Sequence, residues 1–469
     1  MSQTGLRPKV GLLALTLELY ESMVPGLREN REEWVREDIL PIVGKFAEVM
    51  FPGAVYRRGD IEAVVSQFEA DGAEALLVLL LTYSPSQLTL PALKRTTLPI
   101  MIWNTQELFS VGEGFTGDDM SNNHGVHGTQ DLGNVLLRAG VPFSYVTSHT
   151  RDARGMDEVA DFFCAAAAVH RLRRARLGLL GYPFPGMGDF AVDTTHMVAT
   201  LGCEWNALSV GDYVRRAEHA STSAVSELVA AYRDTYSISA DVGASDLEAT
   251  ARVELALRDM IAEHNLDGIT YQFMAFGEDE RTLTVPFVAA SRLMADGIGF
   301  GGEGDLIAAA GTSFLNWLNP PASFAEIFTI DFGGNALFMS HMGEANVSMA
   351  RRDRKVAMVA QANPITPTRA GQLLLSIALE PGPATLCALT IAPGSRWRLV
   401  VSPMTISDFG PLPEMASPHF KLAPSGDVRE FLTEYARAGG PHHLAVCFGD
   451  ARSRLKAAAQ LLDADYCEV

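Results

Sequence analysis

Cysteine is scarce in this chain of 469 residues: Cys164, Cys203, Cys387, Cys447 and Cys467 are all it has, and no two stand in a CxxC spacing. Odd in number and scattered, they argue against a disulfide framework or a thiolate zinc site and predict buried thiols in a reducing cytoplasm. Long apolar runs are missing too. The most aliphatic stretch, residues 75–81, is far shorter than a membrane span. The first nine residues lack the apolar core of a secretory leader, so a cytoplasmic protein without membrane association is expected. Positive charge is in deficit, with 37 Lys and Arg against 56 Asp and Glu and a formal charge of −19. No basic stripe offsets that balance, which excludes nucleic acid as a partner. No phosphate-cradling P-loop, internal repeat or low-complexity tract appears either.

What is present describes a soluble globular protein, 48% hydrophobic and 20% charged. Its length predicts two or three domains. Apolar runs at residues 10–17, 54–56, 75–81 and 98–103 alternate with helical patterns at 27–50 and 61–70, the rhythm of an α/β unit with a parallel sheet. In such sheets ligands sit beyond the carboxyl ends of the strands. Those ends here are polar: Tyr83-Ser84-Pro85-Ser86 and Asn104-Thr105-Gln106-Glu107. Residues 120–128 read as a glycine-punctuated polar loop, followed by helices at 131–139 and 156–174. A second α/β unit opens with a strand at 176–182. It continues through helices at 191–201, 221–237 and 247–265, a strand at 266–276 and a helix at 285–296.

From about Gly311 the texture changes. Short β-branched and aromatic runs at 328–332, 336–339, 371–379, 384–391 and 397–402 are divided by Pro and Gly turns, which predicts an antiparallel, barrel-like β domain. A helix at 428–438, a strand after His443 and a helix at 453–463 close the chain. The expected architecture is two Rossmann-like, doubly wound α/β domains, residues 1–174 and 175–310, followed by an antiparallel β-barrel-like domain, 311–469.

Four places could carry chemistry. Glu303 stands among glycines in Gly299-Phe300-Gly301-Gly302-Glu303-Gly304-Asp305, where the backbone turns tightly and something approaches closely. By itself it could equally begin a helix at 305–310, where an acid is favourable. Glu326 stands between Phe324 and Phe328, and a carboxylate among apolar neighbours is costly to bury unless paired or metal-bound. A solvent-facing place on a half-buried strand would suit it as well. His341 ends a strand-like run, where a hydrogen-bonded core histidine is the commoner finding. His442 and His443 follow Gly439-Gly440-Pro441 and open a strand. Adjacent strand residues face opposite ways, so only one of the two is expected to reach a shared metal.

Read in order, these stretches resemble the L-arabinose isomerases and, more distantly, the L-fucose isomerases. Leu293 to Asp305 is similar to the family's L-M-x-x-G-Y-G-F-x-G-E-G-D. Ser323 to Phe332 loosely matches the region around its M-E-D, Met339-Ser340-His341-Met342 its G-S-H-M, and Ala438 to His443 its A-G-G-A-H-H. Upstream, Thr82 to Ser86 resembles T-F-S-P-A, Asn104-Thr105-Gln106 resembles H-T-Q, and Met120 to Gly128 resembles M-N-L-N-Q-S-A-H-G. The matches are collinear over most of the chain.

The resemblance implies a metal-dependent aldose–ketose isomerase acting on a free sugar through a cis-enediol. It makes Glu303, Glu326, His341 and His443 the metal ligands and the two glutamates the acid/base pair. Mn²⁺ is the first choice of ion, with Co²⁺ or Mg²⁺ as alternatives. Asn104, Gln106, His124, His127 and His442 would face the sugar. A homo-oligomer, a hexamer by family analogy, would bring first-domain residues to a neighbour's ion. An epimerase or retro-aldol reaction sharing the enediolate, or a non-catalytic sugar-binding relative, are the alternatives. Leu306 stands for the aromatic of the family's E-G-D-W, Ile327 for the acid of M-E-D and Asn104 for the histidine of H-T-Q, while His124 adds an imidazole. These departures imply that the metal chemistry is kept and that the sugar is not L-arabinose.

Overall fold

A computed structural model describes residues 7–362 and 364–469. Residues 1–6, most of the segment read for a leader, lie outside it. Among the described residues no helix is long and apolar enough to cross a membrane. The chain forms two units, Met1–His170 and Arg171–Val469.

The first unit is built on a parallel sheet. Its strands lie in the order Glu48–Met50, Lys9–Leu15, Ala75–Leu80, Ile100–Asn104, Ser144–Thr147, with Ala54–Val55 also pairing against the end of Lys9–Leu15. Every residue of Ala75–Leu80 is buried, which is why it reads as an unbroken aliphatic run. Strand order reverses between Lys9–Leu15 and Ala75–Leu80, and a crevice at the carboxyl edge is the usual consequence.

Two sequence expectations give way here. The helical pattern at 27–50 divides into Leu27–Trp34, a π turn Val35–Ile39 and a last α turn Leu40–Val43, after which Glu48–Met50 is an edge strand. Pro41 has no N–H to give the helix ladder, and Leu40 N–H reaches back five residues to the Val35 carbonyl. The polar loop at 120–128 is mostly helical. Thr116 and Asp119 form a reciprocal capping box that starts Gly117–Asn122, and Val126–Arg138 follows after only three residues.

The second unit begins with a four-stranded parallel sheet in the order Gly299–Gly301, Gly268–Tyr271, Arg176–Leu180, Glu204–Leu208. The strand expected at 266–276 stops at Tyr271, because the Gln272 side chain caps a short helix, Phe273–Gly277. From Gly299–Gly301 the chain turns through Glu303 into the buried helix Leu306–Leu318.

The closed barrel that the β-rich pattern predicts comes next. Ala322–Asp331 pairs with Ala336–Ser340, that with His419–Pro424, and that with Arg396–Ile406. Arg396–Ile406 pairs with Gly382–Ala392, that with His443–Phe448, and His443–Phe448 returns to Ala322–Asp331. All six pairings are antiparallel. Asp465–Glu468 adds in parallel outside the ring. The barrel interior is filled by side chains such as Leu337, Leu386, Val400, Leu422, Leu444 and Val446.

Candidate metal centre

Two structural edges meet at one place in the second unit. The carboxyl edge of the parallel sheet supplies Glu303, and one end of the barrel supplies Glu326, His341, His442 and His443. Glu326 pairs across one ladder with His443 and across the other with Ser340, the neighbour of His341. A β-bulge just past Glu326, at Phe328, breaks the register there. Bulges of this kind re-aim side chains beside functional sites.

The glycines around Glu303 have specific work. A Cβ on Gly302 would stand 2.7 Å from His341 Nε2, and one on Gly304 would stand 2.5 Å from Tyr182 O and Pro183 Cα. Glu303 itself has φ of 57°, a left-handed conformation that a non-glycine residue adopts at a cost of about 1 kcal/mol. The turn is therefore pressed tightly against His341 on one side and the Tyr182-Pro183 segment on the other, and it aims the carboxylate inward.

Donor atoms of Glu303, His341 and His443 lie within 4.8 Å of one another, and so do those of Glu326, His442 and His443. The four residues expected as ligands are thus brought together as two overlapping groups that share His443. His442, expected to point away from its neighbour, joins the second group. It precedes the strand His443–Phe448, so strand alternation does not govern it, and the two imidazole rings lie 4.1 Å apart.

Each imidazole is held from behind by a carboxylate. Asp305 Oδ2 lies 3.0 Å from His443 Nδ1, while Asp305 Oδ1 accepts from Ala308 N–H and caps the helix Leu306–Leu318. Glu344 Oε2 lies 2.6 Å from His341 Nδ1 and also accepts from Gly343 N–H, while Glu344 Oε1 accepts from the Tyr271 hydroxyl. Asp189 takes both the backbone N–H and Nδ1 of His442. Carboxylate–histidine pairs of this kind set the tautomer and raise ligand basicity. With Nδ1 committed, Nε2 carries the lone pair. The Nε2 atoms of His442 and His443 are buried and make no hydrogen bond, with His443 Nε2 lying 3.7 Å from Glu303 Oε2. Orphaned acceptors beside buried carboxylates are what a divalent cation would satisfy.

The electrostatics agree. Burial raises the carboxyl pKa of Glu303 and of Glu326 above the ordinary range, against the pull of His341 and His442. Burial pushes Asp305 up to about 7. Burial, with His341 and His442 nearby, keeps His443 neutral, the form a metal requires. His341 is raised despite its burial because Glu344, Glu326 and Glu303 surround it. Phe324 lies beneath both rings, edge-on at 4.9 Å from His341 and 5.0 Å from His443, and Phe190 stacks on His443.

The sugar-facing candidates of the first unit gather at the carboxyl end of its sheet. His127 stacks on Tyr83 at 4.9 Å and on His124 at 5.5 Å. His124 Nε2 lies 2.8 Å from the Tyr20 hydroxyl, and its Nδ1 is buried without a partner. Asn104 bonds to Thr147 and Thr129, and Gln106 bonds back to the Leu108 carbonyl. Sequence reasoning did not single out Asp189, Tyr271, Glu344 or Tyr20. Glu344 carried a faint signal, three residues after His341; Asp189 carried none.

Comparison with known proteins gives a consistent picture. The family models for the L-arabinose isomerase central domain and C-terminal domain match residues 186–319 and 321–465. L-arabinose isomerase of Herpetosiphon aurantiacus is 26% identical over 422 residues, covering 86% of this chain and 82% of the relative. That of Mycolicibacterium smegmatis is 28% identical, covering 77% and 73%. That of Thermotoga maritima is 26% identical, covering 79% and 75%.

Proposed function

The chain belongs to the L-arabinose isomerase family as a divergent member and interconverts an aldose and a ketose, and on that premise we propose that it does so at a divalent ion held by Glu303, Glu326, His341 and His443. The observation that carries this reading is the convergence of Glu303, His341 and His443 donor atoms, with Glu326 registered directly opposite His443. Mixed oxygen and imidazole donors suit Mn²⁺ first, with Co²⁺ or Mg²⁺ as alternatives.

Bound there, such an ion would polarise the sugar carbonyl and the adjacent hydroxyl and acidify the C–H between them. The chain's own groups do the proton work. One of Glu303 and Glu326 takes the carbon-bound proton and the other moves the oxygen-bound protons, through a cis-enediol. Their raised carboxyl pKa values, caused by burial, make each a better base than an exposed glutamate. Phe324 and Phe190 keep water from the imidazole faces. Asn104, Gln106, His124 and His127 bind the sugar in a homo-oligomer, reaching the centre of a neighbouring copy. Since Leu306, Ile327 and Asn104 depart from the family pattern, the substrate is a free sugar other than L-arabinose.

The test is proton exchange in D₂O. Protein stripped and reloaded with Mn²⁺ is incubated with a panel of free aldoses and ketoses, with Glu303→Gln as control. Metal-dependent deuterium at C1 or C2 of one sugar, absent in the variant, is expected. Absence of exchange with every sugar despite Mn²⁺ binding would overturn the isomerase reading.

A further inference from the structure

The family resemblance puts His442 with the sugar-facing residues, but its surroundings are those of a ligand. Asp189 belongs to the segment that follows the strand Arg176–Leu180 and lies far from His442 in sequence. It accepts from both the backbone N–H and Nδ1 of His442, so the ring is fixed in position and in tautomer. Nε2 then presents a lone pair. That atom is buried and meets no donor, although the ring as a whole is partly exposed. A ring nitrogen of His442, a Glu326 carboxylate oxygen and a ring nitrogen of His443 all lie within 4.8 Å of one another, and of the two His442 nitrogens Nε2 is the one that Asp189 does not already hold. An ionised Glu326 has no hydrogen to give it, and His443 Nε2, 3.7 Å from Glu303 Oε2, is likewise without a hydrogen bond.

Phe190, the residue after Asp189, stacks on His443 and tilts against His442. One short segment therefore braces both histidines at once.

The two overlapping donor groups also decide how many ions are involved. They share His443, whose Nδ1 is committed to Asp305. A neutral imidazole then has a single in-plane lone pair left, on Nε2, and it serves one ion. Two groups that share that lone pair describe one centre, not two.

We propose that His442 is a further ligand of that one centre, so that it is built from Glu303, Glu326, His341, His442 and His443, with Asp189 as the positioning residue for His442. The inference rests on the metal-isomerase reading and deepens it. A third imidazole makes the donor set softer than two carboxylates and two imidazoles would be. It shifts preference away from Mg²⁺ and towards Co²⁺ and other ions that favour nitrogen.

The test reads the metal and not turnover. Co²⁺ is titrated into metal-free wild type, His442→Gln and Asp189→Ala, following its visible absorption and the binding isotherm. His442→Gln is expected to change the position and intensity of the Co²⁺ bands and to raise Kd by at least about 10-fold. Asp189→Ala keeps the imidazole but removes the one oxygen that accepts from both the backbone N–H and Nδ1 of His442, freeing ring and tautomer, so a loss in the same direction is expected. Should His442→Gln fail to fold by circular dichroism, Asp189→Ala carries the test. Unchanged Co²⁺ spectra and affinity in folded variants would overturn the inference and leave the four-ligand centre standing, and a rise in sugar KM alone would return His442 to the substrate. Wild type that binds neither Co²⁺ nor Mn²⁺ would instead overturn the metal-isomerase reading, and this inference with it.

Discussion

Glu326 and His443 occupy paired positions on neighbouring antiparallel strands of the barrel, and Glu326 is paired on its other side with Ser340, next to His341. Cross-strand partners stand about 4.5–5.5 Å apart at Cβ. Sheet register alone thus brings a carboxylate and two imidazoles to one end of the barrel, and the Glu303 turn has only to meet them.

Gly302 is where that meeting is tightest. Gly302→Ala would place a methyl group 2.7 Å from His341 Nε2, so the imidazole or the turn must move. Mn²⁺ affinity by isothermal titration is expected to fall about 10- to 100-fold, the range seen when a ligand loses its orientation. Gly59→Ala meets no atom within 4 Å in the helix Arg58–Ala70 and serves as control. It should leave affinity unchanged and raise stability by about 0.5 kcal/mol.

Asp305 has two tasks that substitution can separate. Asp305→Asn keeps an oxygen for Ala308 N–H but turns an NH₂ towards His443 Nδ1. The helix should remain capped, with little change in Tm at pH 5, where Asp305 keeps its proton, while Mn²⁺ affinity falls at least about 10-fold because His443 takes the wrong tautomer. Asp305→Ala should add a capping loss of about 1 kcal/mol. Equal Mn²⁺ affinity in Asp305→Asn and wild type would show that the contact does not set the ring.

The Tyr271 hydroxyl bonds to the far oxygen of Glu344, whose near oxygen holds His341. Glu344 is completely enclosed, and His341, Tyr271 and Gly343 N–H together keep it ionised despite its burial. Tyr271→Phe leaves a buried carboxylate oxygen unpaired, a loss of about 1–3 kcal/mol. The metal-free protein should melt lower in a thermal scan, and saturating Mn²⁺ should recover part of the difference by mass action.

The pH dependence has opposite signs with and without metal. Asp305, raised to about 7 by burial, binds its proton more tightly folded than unfolded. Its contribution to the stability of the metal-free protein is full below about pH 4, the unfolded value, and is lost as pH rises through about 7. Metal binding runs the other way. Glu303 and Glu326 must shed protons that burial makes them hold more tightly, so Mn²⁺ affinity declines as pH falls, starting at higher pH than for exposed glutamates. Thermal scans of metal-free wild type and Asp305→Asn at pH 5 and pH 8, with Mn²⁺ titrations at both, check the two signs. A metal-free Tm difference independent of pH would remove Asp305 as its cause.

Tyr20→Phe tests the first unit separately. It deprives His124 Nε2 of its hydroxyl partner when Nδ1 already has none. Stability should fall by about 1–3 kcal/mol, and sugar KM should rise while Mn²⁺ affinity, set by residues of the second unit, stays unchanged. A drop in Mn²⁺ affinity would contradict that separation.

Local pattern was enough for the alternation of strands and helices, for the change to short β runs near Gly311, and for the residue types of the centre. Those features depend on periodicity, turn chemistry and burial, each of which a few neighbouring residues express. Short-range signals also had limits: the capping box at Thr116 and Asp119 and the proline-driven π turn before Pro41 were local yet changed the elements read at 120–128 and 27–50. What only the tertiary structure decided is which atoms face which. Ring closure between Ala322–Asp331 and His443–Phe448 sets Glu326 against His443, and Asp189, Asp305 and Glu344 set the three imidazole tautomers from distant or inconspicuous positions. In sequence those acids look like any other surface carboxylates, since a hydrogen bond across a fold has no periodicity. Only burial against a particular ring turns an ordinary aspartate into the group that directs a lone pair.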